Sequence, residues 1–248
     1  QYHNTYFLIA HFHLVLIAGT VFGCFAGLVY WYPKMFGHML NEKIGKWAFW
    51  LFVLGFNICF LPLFFVGLDG MPRRIYTFTN PEWTNLNAIA TFGAFLMGAG
   101  FAVFVYNMVW SARFGERDKT GDPWDARTLE WATPTPVPHY NFAKVPKITR
   151  ADEWWYIKQN NEKSVLRELK ASEIEPIHMP NSSYRPFVMS CLFFVVGFAA
   201  VFHWFAIAAA GLVCVLITMG LRSFEIDEGH HVSVEEIIKT EKDRIKGA

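Results

Sequence analysis

Four stretches of this chain contain no Asp, Glu, Lys or Arg: Thr5–Pro33, Trp47–Leu68, Trp83–Ala112 and Pro186–Leu221. A hydrocarbon core about 30 Å thick needs roughly 20 apolar helical residues to cross it, and each stretch is long enough. Charged residues make up 17% of the chain, against a usual share of about 25%, so the charge-free runs are not offset by a highly charged remainder. The reading is a polytopic membrane protein. The first apolar stretch lacks a basic n-region and runs past signal-peptide length, so it reads as a span and not as a secretory signal. The 22 basic and 21 acidic residues nearly cancel, which argues against a general nucleic-acid-binding surface. The chain opens with Gln1 instead of Met, as a fragment or a processed piece would.

The first three stretches read as single spanning helices. The fourth has 36 residues and as one straight helix would be about 54 Å long, far more than the bilayer needs. Its centre, Phe202-His203-Trp204, has the polar and aromatic mix of a membrane interface, so it reads as a hairpin of two short helices. The expected fold is an all-α transmembrane bundle of about five spans. Residues 1–112 hold three helices, 113–185 a strap and a polar helix, 186–221 the hairpin, and 222–248 a charged tail.

Loop charge orients the bundle. Of the 22 basic residues, 20 fall in the 34–46 loop, the 113–185 segment and the tail, leaving only Arg73 and Arg74 on the other side. The positive-inside rule then places the 20 in the cytoplasm, with the N-terminus and the 69–82 loop outside. Five prolines between Gly121 and Pro146 rule out a helix there and predict an extended strap on the cytoplasmic face. Trp154-Trp155 begins a polar helix, and Ser233-Val-Glu-Glu236 reads as a capping box opening a short charged helix. The cysteines Cys24, Cys59, Cys191 and Cys214 all lie in apolar stretches without C-x-x-C spacing, so they read as buried small hydrophobes. Pro62 is expected to kink the second span.

Imidazoles inside a charge-free span need partners, which singles out His11-Phe12-His13. At about 100° per residue, positions i and i+2 face nearly opposite ways, so one metal would not take both. The spacing suggests two cofactors, one on each side of the helix, with imidazole as the usual axial ligand of haem iron. The competing reading has each histidine hydrogen-bonded to a neighbouring helix. Arg73-Arg74 would suit carboxylates near the membrane edge, haem propionates among them, or else form an ordinary solvated pair with Asp69 and Glu82 near at hand. His3 lies about two turns from His11 and could reach a propionate or an ordered ion, or cap the interface.

At these residues the sequence resembles a known family. The run His3-Asn-Thr-Tyr-Phe-Leu-Ile-Ala-His-Phe-His13 is similar to helix ten of subunit I in the haem–copper oxidases. The likeness extends through Gly23–Gly27, Tyr30–Lys34, Gly70–Arg74 and Thr128–Trp131. The resemblance implies that His11 is the axial ligand of a high-spin, oxygen-binding haem and His13 one axial ligand of a low-spin haem, with Phe12 between them. Arg73 and Arg74 would hold propionates. Within the family, Asn4 after His3, the two extra spans after Pro186 and the Gly121–Trp131 strap resemble bacterial quinol oxidases; cytochrome c oxidases usually have Asp after that histidine.

The three copper histidines, the second low-spin ligand and most proton-channel groups of the family have no counterpart in this sequence. The resemblance therefore implies the C-terminal portion of subunit I, working with the remainder of subunit I, with subunits II, III and IV, and with quinol, oxygen and membrane lipid. The site would be the bacterial plasma membrane with the C-terminus cytoplasmic. A cytochrome c oxidase of the same superfamily, or a non-redox transporter or structural subunit, are the alternatives.

Overall fold

The computed structural model describes residues 1–160, 174–225 and 229–246. The chain forms two compact units, one carrying the first three long helices and the strap, the other the apolar hairpin with a short ribbon. Among the described residues, four helices are long and apolar enough to cross a membrane: Tyr6–Phe36 (α1), Glu42–Leu68 (α2), Glu82–Phe114 (α3) and Phe205–Ser223 (α6). A fifth apolar helix, Arg185–Val201 (α5), is shorter at 17 residues. Two further helices, Glu153–Gln159 (α4) and Val234–Lys246 (α7), are short and polar.

Each long helix begins and ends for a local reason. The Thr5 hydroxyl accepts from the Phe7 amide at 3.3 Å and caps α1, satisfying a donor that the helix itself cannot. At the other end Gly37, with φ of 73°, donates its amide to the Pro33 carbonyl at 2.7 Å, an αL stop that a β-carbon would disfavour. Between these ends α1 changes to a π-turn over Ile17–Val21. The extra residue in that turn rotates the lower half of α1 relative to the half that carries His11 and His13. Asn41 caps α2, its side-chain oxygen accepting from the amides of Lys43 at 3.0 Å and Ile44 at 3.1 Å. α2 continues through Pro62 to Leu68.

α2 packs against both α1 and α3, and glycines set the closest approaches. A β-carbon on Gly55 would fall 2.3 Å from the Met97 nitrogen, and one on Gly93 2.3 Å from the Cys59 nitrogen. On Gly100 it would fall 2.5 Å from the Phe52 nitrogen. In lipid, where apolar side chains gain nothing by leaving their solvent, such backbone contact supplies the dispersion energy of association. Ala10, Phe56, Cys59, Phe60, Leu63 and Ala90 form the core of this seam. Phe65, Phe92 and Phe95 are exposed, as on helices solvated by hydrocarbon.

The opposite end of these helices is tied by polar side chains. Asn107 and Ser111 are buried on α3. The Asn41 amide donates to the Asn107 side-chain oxygen at 3.2 Å, and Asn107 returns a bond to the Asn41 carbonyl at 3.1 Å. The strap closes over the end of α1. Trp131, 1% exposed, donates its indole N–H to the Tyr30 hydroxyl at 2.9 Å, and Trp124 donates to the Tyr30 carbonyl at 2.9 Å. Lys34, also buried, donates to the Thr133 carbonyl at 2.6 Å. On α4, Lys158 pairs with Asp122 at 2.9 Å and with Asp125 at 2.7 Å.

In the second unit α5 and α6 are joined through Phe202-His203-Trp204, and His203 takes φ of 59° at the turn. A left-handed histidine there does the work usually given to glycine, so neither Gly nor Pro marks the bend in the sequence. Arg185 before the hairpin and Arg222 at its end both reach Glu225. Ile177–Met179 (β1) and His230–Val232 (β2) pair as an antiparallel ribbon, the only strands among the described residues and an element that the all-helical expectation did not include. The Ser233 hydroxyl accepts from the Glu236 amide at 3.3 Å at the start of α7.

The cysteine expectation needs correction. Only Cys59 is buried; Cys24, Cys191 and Cys214 are exposed on helix faces. An apolar stretch in a membrane helix does not identify which face is inside, because lipid accepts a thiol as readily as a core does.

Candidate functional site

His11 and His13 lie in the first half of α1, ahead of the π-turn. Their environments differ as their opposite directions require. His13 is half-buried against α2, its ring stacked on Phe60 with centroids 4.9 Å apart and planes 10° from parallel. Phe12 leans on the same ring at 4.3 Å. His11 is exposed.

The polar contact of His13 determines its chemistry. Its Nδ1 lies 2.7 Å from the carbonyl oxygen of Ile9, one turn earlier. A carbonyl can only accept, so Nδ1 carries a proton and donates; in the neutral ring the lone pair is then on Nε2. That is the state of an imidazole that coordinates a metal: one nitrogen orients the ring through a backbone carbonyl and the other is free to bind. Neither imidazole is hydrogen-bonded to a neighbouring helix among the described residues.

The arginine loop is pinned to the start of the same helix. The Tyr6 amide donates to the Met71 carbonyl at 3.0 Å, giving one of the unsatisfied amides of the first turn its partner. Thr5 and Pro72 form a β-bridge, and the Arg73 amide donates to the Asn4 carbonyl at 2.9 Å. Gly70 at φ of 91° and Arg74 at φ of 65° bend the chain back to make these contacts. Arg73 and Arg74 therefore stand beside His3-Asn4, about 9 Å along the axis from the level of His11, counting six residues from Thr5.

Arg73 is half-buried, with its Nε shielded and lacking a hydrogen-bond partner, whereas Arg74 and His3 are exposed. Neither guanidinium has an ion-pair partner among the described residues. Asp69, one of the two carboxylates near at hand for an ordinary pair, accepts from the Trp83 indole at 2.7 Å. Below the π-turn, α1, α2 and α3 enclose an apolar cleft of about 800 Å³ lined by Phe22, Phe25, Phe49, Phe52, Phe104 and Trp124. No group of three or more His, Cys, Asp or Glu able to hold a metal occurs among the described residues.

Sequence reasoning missed Phe60 and the Ile9 carbonyl. Phe60 is one of 25 phenylalanines and has no local signal, and a backbone acceptor leaves none in the sequence.

A multi-pass helical membrane protein with an imidazole-bearing first helix is a broad class, and comparison with known proteins narrows it. Residues 1–96 match the family described as Cytochrome C and Quinol oxidase polypeptide I. It is 55% identical over 245 residues to quinol oxidase subunit 1 of Bacillus subtilis, covering 98% of this chain and 37% of that protein. Cytochrome c oxidase subunit 1 of Alkalihalophilus pseudofirmus is 44% identical, over 95% of this chain and 39% of its own length. The probable quinol oxidase subunit 1 of Staphylococcus epidermidis is 46% identical, over 97% and 36%. The chain thus spans little more than a third of the length of these relatives.

Proposed function

We propose that this chain is the haem-ligand portion of the catalytic subunit of a proton-translocating respiratory quinol oxidase, which reduces oxygen to water. The observation that carries the reading is the bond from His13 Nδ1 to the Ile9 carbonyl, which leaves a lone pair on Nε2 of a neutral ring held between Phe12 and Phe60.

The residues present fit two haems. His13 would hold the iron of a low-spin haem, and His11, on the other side of α1, that of a high-spin haem. Arg73 and Arg74 neutralise haem carboxylates, and the buried Nε of Arg73 is a donor suited to one of them. His3 assists at the same rim. Bound haem iron supplies reversible one-electron transfer at one centre and oxygen binding at the other. What the protein contributes is rigidity: one helix carries both ligands, so their separation is fixed by covalent geometry and backbone hydrogen bonds. Copper beside the high-spin haem is assigned to no residue of this chain.

The donor is quinol. Asn4 follows His3 where a carboxylate would favour a hard cation, and identity to relatives named quinol oxidase reaches 55%. The partners are the remainder of subunit I, subunits II, III and IV, quinol, oxygen and lipid. The protein sits in the bacterial cell membrane with its C-terminus in the cytoplasm.

The test is spectroscopic, on chain assembled with the other parts of the oxidase. His13→Ala removes the sharp low-spin bands, and His11→Ala abolishes or alters carbon monoxide binding while the low-spin bands persist. Loss of one and the same component in both variants refutes the assignment. Turnover with reduced cytochrome c in place of quinol moves the protein to the other branch of the family. A cysteine at Asp69 labels from outside and one at Lys119 only from inside; the reverse overturns the orientation.

A further inference from the structure

A second group of histidines lies far from this chemistry in sequence, on the ribbon of the hairpin unit. In the antiparallel register His178 of β1 stands directly opposite His231 of β2, so both side chains leave the same face. Their rings are 4.9 Å apart between centroids and inclined at 62°. Both residues are exposed. Gly229 makes room for one of them. At φ of 62° it turns the chain into β2, and a β-carbon there would fall 2.5 Å from His178 Nε2. His230, the next residue, points to the other face and contacts the Asn181 side-chain oxygen at 3.2 Å through its Nδ1.

We propose that His178 and His231 form a binding site for a divalent ion of the zinc class, which clips the two strands together. Imidazole nitrogen suits borderline ions such as Zn²⁺. Two bonds of 2.0–2.1 Å at a tetrahedral angle need nitrogens roughly 3.4 Å apart, on rings whose centroids stand 4.9 Å apart. Two protein ligands leave two positions for water, so the ion is exchangeable, unlike that of a closed structural site.

The consequence is local and mechanical. β1 precedes α5 and β2 follows α6, so the ribbon joins the two ends of the membrane hairpin. Each strand has three residues, and a two-stranded ribbon of that size is marginal in water by itself. An ion bridging opposed residues binds the paired state alone and holds it closed by mass action. This site is independent of the haem reading: failure of either leaves the other standing.

Calorimetric titration of the purified full chain with Zn²⁺ tests the site. His178→Asn and His231→Asn should each weaken the tightest zinc site at least tenfold, and His230→Asn by less than threefold. Any other pattern overturns the assignment. A second measurement on the unsubstituted protein guards against variants that fold poorly. At free zinc ten times the measured Kd, hydrogen exchange at the amides of 177–179 and 230–232 should slow about tenfold. Unchanged exchange at these amides overturns the clip.

Discussion

Gly67 of α2 lies directly against the backbone of Phe7 in α1: a β-carbon on Gly67 would fall 2.0 Å from the Phe7 nitrogen and 2.6 Å from its α-carbon. The two helices touch main chain to main chain one turn before His11. Gly67→Ala must push α1 away from α2, and overpacking of this kind costs about 1–3 kcal/mol. Thermal unfolding in detergent should show that loss, whereas Gly98→Ala, where a β-carbon meets nothing within 4 Å, should be close to neutral. Equal effects of the two would remove the close contact from the account.

The arginine pair is unequal. Arg73 is half-buried with a shielded Nε, and Arg74 is exposed. If these cations face haem carboxylates, replacing one by Gln disfavours the reduced iron, so the reduction potential falls. One charge at this range is worth on the order of 1 kcal/mol, or roughly 40 mV for one electron. Arg73→Gln should shift a potential more than Arg74→Gln does. Redox titration with unchanged potentials in both variants returns the pair to a surface role.

Asp122 collects three donors around the start of the strap: the Ala126 amide at 2.8 Å, the Trp154 indole at 3.1 Å and Lys158 at 2.9 Å. The Asp122 and Lys158 side chains are 11% and 9% exposed, so removing one leaves the other shielded and short of a partner. Asp122→Ala should destabilise the strap by about 3 kcal/mol, moderated by the remaining bonds from Lys158 to exposed Asp125 and to the Ala126 carbonyl. Hydrogen exchange over 121–133 should accelerate accordingly, and a double-mutant cycle with Lys158→Met should show strong coupling.

Glu225 titrates below the ordinary glutamate range, chiefly because Arg185 hydrogen-bonds its carboxylate, with Arg222 adding to the effect. A carboxyl whose folded pKa is depressed contributes stability above its unfolded pKa, near 4.3, and loses it as pH falls through the lower folded value. Exchange at the first turn of α5 should therefore quicken on acidification below about pH 4.3. In Glu225→Gln that pH step should be absent; a step of the same size in the variant refutes the role of Glu225. Glu153, held low by the Thr149 amide and hydroxyl, gives the corresponding step at the start of α4.

Membrane helices are legible in a sequence because their signal is local and additive: one charge in the wrong place costs enough that its absence over 20 residues is informative. By that reasoning the sequence alone determined the three long spans, the hairpin bend around His203, the capped tail helix and the opposed directions of His11 and His13, the last from helical period only. Other features depended on the partner across the gap. The π-turn at Ile17–Val21 has no proline to announce it, and Gly55, Gly93 and Gly100 differ from uncontacted Gly98 only in what faces them. Three of four cysteines expected inside proved exposed, since lipid and core are equally apolar. Only the folded chain brought Phe60 onto His13, set Arg73 beside Asn4 and laid His178 across from His231. Each of these joins residues dozens of positions apart, and such pairings follow from packing geometry, which is a property of surfaces in contact and not of any one segment.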